Sequence, residues 1–129
     1  MRWGLLGFTI AILMAACMEA AAHEMTPTYP KMQPSHLDGV VKTTMQMFNK
    51  RQDVEYYEIG VFDADFNAVP FVTSYNIIKI KYLGHVTFDV YIRKADIGRA
   101  HYICSRSKLR KDKSVRTAVS SLICSKIKK

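Results

Sequence analysis

The chain has 129 residues, a mass of 14.7 kDa and a formal net charge of +8 at pH 7. If the first 22 residues are an export signal, the remaining 107 suit a single domain with a modest core. Residues 23–103 carry nine basic and nine acidic side chains, whereas the last 26 residues carry nine basic side chains against Asp112 alone. This concentration of positive charge makes a polyanion or an anionic membrane surface a candidate partner.

Residues 1–22 predict export and a secreted, extracellular protein. Arg2 supplies a minimal basic region, LLGFTIAILM is an apolar run of signal-peptide length, and three alanines at positions 20–22 offer a cleavage site. The apolar run is too short to span a bilayer, and no second run of spanning length follows it. The sequence LMAAC, which ends at Cys17, is similar to a bacterial lipoprotein signal and leaves lipid anchoring as the alternative.

The next two segments predict an extended arm and then a helix. Residues 23–34 contain three prolines and show no periodicity, so they predict an arm in front of a domain at residues 35–129. SHLDGVVKTTMQMFNK, residues 35–50, predicts a helix because Ser35 can cap its start and apolar residues recur at helical spacing. Those apolar residues are Leu37, Val40, Val41, Met45 and Phe48.

The remainder of the chain predicts β-strands. VEYYEIGVF at residues 54–62 is rich in β-forming residues, and FVTSYNIIKIKYL at 71–83 and HVTFDVYIRK at 85–94 alternate in polarity. RAHYICSRSKL and SVRTAVSSLICSKI predict a last strand pair around the basic turn RKDK. One helix followed by about five antiparallel strands predicts an α+β fold.

The motifs of common catalytic sites are not present in the sequence. It has no G-x-S-x-G and no phosphate-binding glycine loop, and its four histidines do not have the spacing of metal ligands. We therefore expect a protein that is not an enzyme and that holds no cofactor and no metal. After loss of the signal only Cys104 and Cys124 remain, and two cysteines in an exported domain predict a disulfide.

These elements resemble the cystatin superfamily over about residues 30–129. The predicted helix ends in Phe48, Asn49 and Lys50, an aromatic–Asn–Lys step that is similar to the end of the family helix. YNIIKIKYLGHVTFDVYI resembles the central hairpin, and the step from Cys104 to Cys124 resembles the carboxy-terminal disulfide. The resemblance implies one helix packed on an antiparallel sheet of about five strands, with the two cysteines on neighbouring strands.

Cystatins inhibit papain-like cysteine proteases, but this chain departs from their contact residues. The arm before the helix has no glycine, and the turn that is Q-x-V-x-G in the family reads IKYLG here and ends at Gly84. The second contact turn contains Asp112 and Lys113 in place of Pro-Trp. The resemblance therefore implies an inhibitor that is weak at most, or a member of the cathelicidin and chemerin-like branch.

Two functions remain open at this point. In the first, the protein binds a protein partner, such as a papain-like protease, through its turns at Tyr82, Leu83 and Gly84 and at Asp112 and Lys113. In the second, a cationic hairpin binds glycosaminoglycans such as heparin, anionic lipid or microbial surfaces. The residues of that hairpin are Arg106, Lys108, Arg110, Lys111, Lys113, Arg116, Lys126, Lys128 and Lys129. A solvated strand edge is the alternative reading of these charges, and nucleic acid is disfavoured because no aromatic residues interleave the basic run.

Overall fold

The computed structural model describes residues 22–108 and 120–129, and this part of the chain is built almost entirely from β-strands. The strands are β1 (Glu24–Thr26), β2 (Gln33–Pro34), β3 (Val40–Phe48), β4 (Tyr56–Phe62), β5 (Ile77–Lys79), β6 (His85–Arg93), β7 (Tyr102–Lys108) and β8 (Leu122–Lys126). A four-residue helix, α1 (Lys94–Ile97), follows β6. The predicted export signal lies outside the described residues, except for Ala22.

The strands form two antiparallel sheets of four strands each. In the first sheet β3 is central: it pairs with β6 on one side and with the short strands β1 and β2 on the other. The second sheet has the order β5-β4-β7-β8. One hydrophobic core contains residues of both sheets, so the molecule is a β-sandwich.

The α+β fold implied by the cystatin resemblance is wrong. The predicted helix at residues 35–50 is instead strand β3, whose core-facing residues alternate with exposed ones. Thr43, Met45 and Met47 are buried, whereas Thr44 and Gln46 are exposed. The helical pattern depended on other apolar positions and did not count Thr43 as a core residue.

Local preferences explain why this segment is extended. Four of the five residues from Val40 to Thr44 are β-branched, and such side chains lose rotamer freedom in a helix but fit a pleated sheet. Gly39 has a φ of +73°, which places a tight turn directly in front of β3. Its C=O accepts a hydrogen bond from the Lys94 N–H of 2.8 Å, so the start of β3 is fixed to the end of β6.

The predicted central hairpin is also absent from the described part of the chain. Residues 71–83 are not one continuous strand: Val72 makes an isolated bridge to Tyr91 of the first sheet, and β5 pairs with β4 of the second. β5 and β6 therefore belong to different sheets although they follow one another in sequence. The chain thus crosses from the edge of the first sheet at Val72 to the edge of the second at β5.

The amino-terminal segment assigned to an arm is part of the sandwich. β1 and β2 both pair with β3. Between them the chain passes along β8, where the N–H groups of Lys126 and Lys128 donate to the carbonyls of Thr28 and Pro30 at 3.0 and 2.8 Å. These bonds cover the carboxy-terminal half of the outer edge of β8.

The turn before β6 holds Leu83 in the left-handed region, with φ of 58°. A leucine there is strained, and its side chain is exposed. We expect Leu83→Asn to raise the free energy of unfolding by about 0.5–1 kcal/mol, because asparagine tolerates this conformation. Urea denaturation measures the change, and Tyr82→Asn in the same turn, which has no positive φ, is the control. A Leu83→Asn variant no more stable than this control would contradict the prediction.

Candidate binding surface

The two predicted contact turns are only partly within the described chain. Tyr82, Leu83 and Gly84 form a turn between β5 and β6, closed by a 2.8 Å hydrogen bond from the Gly84 N–H to the Lys81 C=O. Both apolar side chains of the turn are exposed. The second turn, with Asp112 and Lys113, lies outside the described residues.

Cys104 and Cys124 form a disulfide between the neighbouring strands β7 and β8. They are direct partners in the register, and their Cα atoms are 4.1 Å apart. Three positions away on either side, the Ser107 N–H donates to the Ser121 C=O and the Ile127 N–H donates to the His101 C=O. Because hydrogen-bonded pairs alternate with closer, non-bonded ones along antiparallel strands, the two cysteines occupy a close pair.

The described members of the predicted basic patch lie on β7, on β8 and on the residues that follow β8. Lys108 is paired with Glu58 at 2.5 Å, and the Lys129 ammonium donates to the carbonyls of Ile97 and Gly98 at 3.1 and 2.6 Å. Arg106 and Lys126 are exposed on one face but lie opposite Leu122 and Tyr102, so roughly 13 Å of strand separates them. Lys128 is exposed beyond β8. The patch residues Arg110, Lys111, Lys113 and Arg116 lie outside the described residues, and polyanion binding stays a prediction.

Most of the exposed large apolar side chains lie in a different part of the chain. Five of the nine large apolar residues that are exposed in the described chain lie within the twelve positions 72–83. We call them the apolar strip: Val72, Tyr75, Ile77, Tyr82 and Leu83, with exposed fractions between 43% and 73%. Large exposed apolar patches mark interaction sites in soluble proteins, so this segment is a candidate binding surface.

The path of the chain explains why the apolar strip faces solvent. Residues 71–83 leave the first sheet at Val72 and join the second at β5. Within this crossing Ile78 and Ile80 reach the core, so the alternating neighbour Ile77 must point outwards. The alternation in polarity predicts one strand over the whole segment and gives no sign of the crossing. Ser74 and Asn76, which flank Tyr75, are residues that favour turns, and they were the sequence signal that the strand is interrupted here.

A pocket of about 390 Å³ lies at one end of the apolar strip. It is lined by His36, Leu37, Val40, Pro70, Phe71, Val72, Tyr91 and Arg93. The Arg93 guanidinium is held by Asp96 at 2.7 Å, and the His36 ring stands edge-on to Tyr91 with centroids 6.2 Å apart. The remaining lining is apolar, and Val72 belongs both to the pocket and to the apolar strip.

A buried polar network lies elsewhere, between the two sheets. The His23 ring nitrogens contact the Ser105 and Ser121 hydroxyls at 2.7 and 3.0 Å. Arg51 is bonded through two nitrogens to Asp53, at 2.9 and 2.6 Å. A histidine beside a serine is the arrangement of a nucleophile and its base, but His23 and Ser105 are both buried and both ring nitrogens are occupied. These contacts serve packing.

Burial, opposed by the hydrogen bond with Ser105 and assisted by the positive charge of Arg51, lowers the pKa of His23 from 6.5 to about 4. The folded protein therefore disfavours the charged imidazolium, and the stability present above pH 6.5 is lost as the pH falls towards 4. We expect a loss of about 2 kcal/mol between pH 7.5 and pH 5, measured by urea unfolding. His23→Gln should remove most of this slope, whereas His36→Gln, at an exposed position, should leave it unchanged.

The aspartates with lowered pKa values do not contribute to the loss of stability between pH 7.5 and pH 5. Hydrogen bonds from Arg51 and from Thr44 lower the pKa values of Asp53 and Asp89 below their ordinary 3.8, so these groups titrate under more acidic conditions. An equal slope in the wild type and in His23→Gln would contradict the assignment to His23.

Neither a metal site nor a membrane span is found in the described part of the chain. Its His, Cys, Asp and Glu side chains form no cluster of three that could hold a metal ion. Residues 22–108 and 120–129 contain no helix that is long and apolar enough to cross a bilayer.

Comparison with known proteins identifies the fold but no family. No protein-family model matches the chain, and no curated protein matches it in sequence. Among solved structures, the crystal structure of the E. coli chaperone DraB is similar, with a TM-score of 0.61 and 14% sequence identity. The match covers 82% of this chain and 53% of that one, so this chain spans about half the length of that protein. At this identity the likeness shows the fold alone.

Proposed function

We propose that the chain is an exported, non-enzymatic domain that binds an apolar segment of another polypeptide on its apolar strip. The observation that carries the proposal is the concentration of exposed apolar side chains in residues 72–83. The pocket beside Val72 supports it, because a concave apolar site can take one large side chain of a partner.

The cost of this surface to the free protein also supports a binding role. Tyr75 is 73% exposed, and Leu83 is both exposed and strained. Strain of this kind is found at sites where a partner or ligand is held. Binding of another chain over these apolar side chains would remove them from water, with a favourable free energy of about 25 cal/mol per Å² of apolar area buried.

The similarity in fold adds a class of partner. The E. coli protein with the similar structure is a chaperone, and a chaperone's partner is another polypeptide. This support is by analogy of fold, which by itself does not determine function. The predicted signal at residues 1–22 supports an encounter with the partner after export.

The earlier prediction of a papain-like protease as partner stays a prediction. Tyr82 and Leu83 belong to the apolar strip, so binding through that turn is included in the proposal. The cystatin resemblance implied contact turns around a helix at residues 35–50 and a central hairpin, and the described chain contains neither of these two elements.

Suppression of aggregation tests the proposal. We expect the mature protein, its disulfide intact, to reduce light scattering of heat-aggregated citrate synthase near equimolar concentration. The double variant Tyr75→Asp with Ile77→Asp should need about tenfold more protein, because two charged side chains then replace apolar contacts. Leu122→Asp, which changes an exposed apolar residue on the opposite edge strand, is the matched control.

Circular dichroism establishes that all variants keep the strand content of the wild type. No suppression by the wild type, or an equal loss in the Leu122→Asp control, would overturn the proposal.

A further inference from the structure

The backbone hydrogen bonds define which residues of β6 face outwards. The Asn49 N–H donates to the Gly84 C=O at 3.0 Å, and the Lys94 N–H donates to the Gly39 C=O at 2.8 Å. Both bonds continue the register in which β3 pairs with β6. Hydrogen-bonded pairs recur at every second residue of an antiparallel ladder. The even-numbered residues of β6 therefore bond to β3, and the odd-numbered ones direct their N–H and C=O groups away from it.

The outer edge of β6 is closed at only one position by the described chain. Tyr91 exchanges hydrogen bonds of 2.8 and 2.9 Å with Val72, which agrees with the outward direction of odd-numbered residues. The backbone groups of His85, Thr87 and Asp89 have no such partner among the described residues. An edge of this length is a template for a further strand.

The sequence of this edge is complementary to itself. If a second β6 strand pairs antiparallel about a two-fold axis at Thr87, then His85 of each copy lies opposite Asp89 of the other. An imidazole N–H donor then faces a carboxylate acceptor at both ends, and two threonines meet at the centre, which are favourable cross-strand pairs. The three residue pairs exchange two backbone hydrogen bonds each.

The other open strand edges are less suited to pairing with a second copy. β5 has three residues, of which only Ile77 and Lys79 point outwards. On β8 the N–H groups of Lys126 and Lys128 are already bonded to Thr28 and Pro30. Among the described strands, β6 has the longest open edge.

We propose that the chain forms a two-fold symmetric dimer in which the two β6 strands pair antiparallel about Thr87. This inference rests on the proposed function in one respect: it names a second copy as a polypeptide bound on the side that carries the apolar strip. A strand pair alone buries little area, and a stable interface needs roughly 1,000 Å² or more. The apolar strip, which begins at Val72 beside this edge, supplies further area when the two copies approach.

Cross-linking through a new cysteine tests the geometry. In the proposed dimer the two Thr87 Cα atoms are about 5.5 Å apart, which is within the range for a disulfide. We expect Thr87→Cys in the full mature chain to form a covalent dimer at micromolar concentration under mild oxidation, seen on a non-reducing gel. Gln46→Cys is the control: Gln46 is exposed and pairs with Thr87 from β3, but the two copies would be three strand spacings, about 14 Å, apart.

Sedimentation equilibrium tests the same edge without a new thiol. The wild type should be a dimer and Thr87→Pro a monomer with unchanged circular dichroism, since the Thr87 N–H makes no ladder bond within the copy. A wild type that stays monomeric, or equal cross-linking by Thr87→Cys and Gln46→Cys, would overturn the dimer. Coupling of Thr87→Cys to a different protein of the exported fraction would also overturn it, and would assign the edge to another polypeptide.

The two proposals fail separately. Selective cross-linking through Thr87→Cys together with no suppression of citrate synthase aggregation would retain the dimer and reject the proposed function. A monomer that suppresses aggregation through Tyr75 and Ile77 would retain the proposed function and reject the dimer.

Discussion

Replacing Asn49 by alanine is expected to lower the free energy of unfolding by about 4 kcal/mol. Asn49 is fully buried directly after β3, and its side-chain amide uses its whole bonding capacity. The Nδ2 group donates to the carbonyls of Val54 and Ile80, both at 2.8 Å. Its Oδ1 accepts from the Arg51 N–H at 2.9 Å and from the Tyr57 hydroxyl at 2.5 Å.

The size of this effect follows from what alanine leaves behind. Two carbonyls, one N–H and one hydroxyl lose their partner, and each buried polar group without a partner costs about 1–3 kcal/mol. The Tyr57 hydroxyl cannot escape the cost by ionising, because burial raises its pKa to about 12. The amide also joins three separate segments, so its loss loosens their packing.

Urea unfolding measures the change, and Gln46→Ala is the matched control. Gln46 carries an amide on the same part of the chain but is exposed, so its removal should change stability by less than about 0.5 kcal/mol. A loss below about 1 kcal/mol for Asn49→Ala would mean that water reaches these groups when the side chain is removed.

The fate of Asn49 shows what a sequence pattern can and cannot determine. The Phe-Asn-Lys step was interpreted as the end of a helix, and it is the end of a strand. An asparagine whose amide bridges segments 31 residues apart in sequence, Asn49 and Ile80, carries no local signal of that role. Tertiary hydrogen bonds of this kind are visible only in the folded chain.

The strands that alternate cleanly were predictable. β6 lies within a segment predicted from its alternation, because one face packs on the core and the other does not. β4 lies within the segment predicted from its β-forming residues. β3 was not predictable in this way, because Thr43 occupies a core position. An apolar residue there would have shown the alternation of every second residue that is typical of a strand. A polar residue in that place left the accidental helical spacing of Val40, Val41 and Met45 as the stronger pattern.

The assignment of strands to sheets could not be obtained from periodicity. Consecutive alternating segments commonly pair as a hairpin, and this expectation placed β5 beside β6. The chain between them makes a turn that sends β6 to the other sheet, and the apolar strip exists because of that crossing. The candidate binding surface was therefore hidden from the sequence, apart from Tyr82 and Leu83.

Removal of the disulfide by Cys104→Ala with Cys124→Ala is expected to lower the free energy of unfolding by roughly 3 kcal/mol. The two cysteines are 20 residues apart, and a cross-link over such a loop restricts the unfolded chain by about that amount. In the folded state the bond joins β7 to the edge strand β8, which is also held by its ladder with β7 and, on its outer side, by the hydrogen bonds to Thr28 and Pro30.

The melting temperature should fall by more than about 10 °C for a domain of this size. Calorimetry of the double variant measures the shift, and the reductant TCEP should lower the melting temperature of the wild type by a similar amount while leaving that of the variant unchanged. The amide hydrogens of Lys126 and Lys128 should also exchange faster, because their bonds to the carbonyls of Thr28 and Pro30 depend on the position of β8. β3 and β6 should keep their protection at subdenaturing conditions, since neither contacts the disulfide through a strand pair. A variant as stable as the wild type would mean that the ladder between β7 and β8 holds the edge strand without the covalent bond.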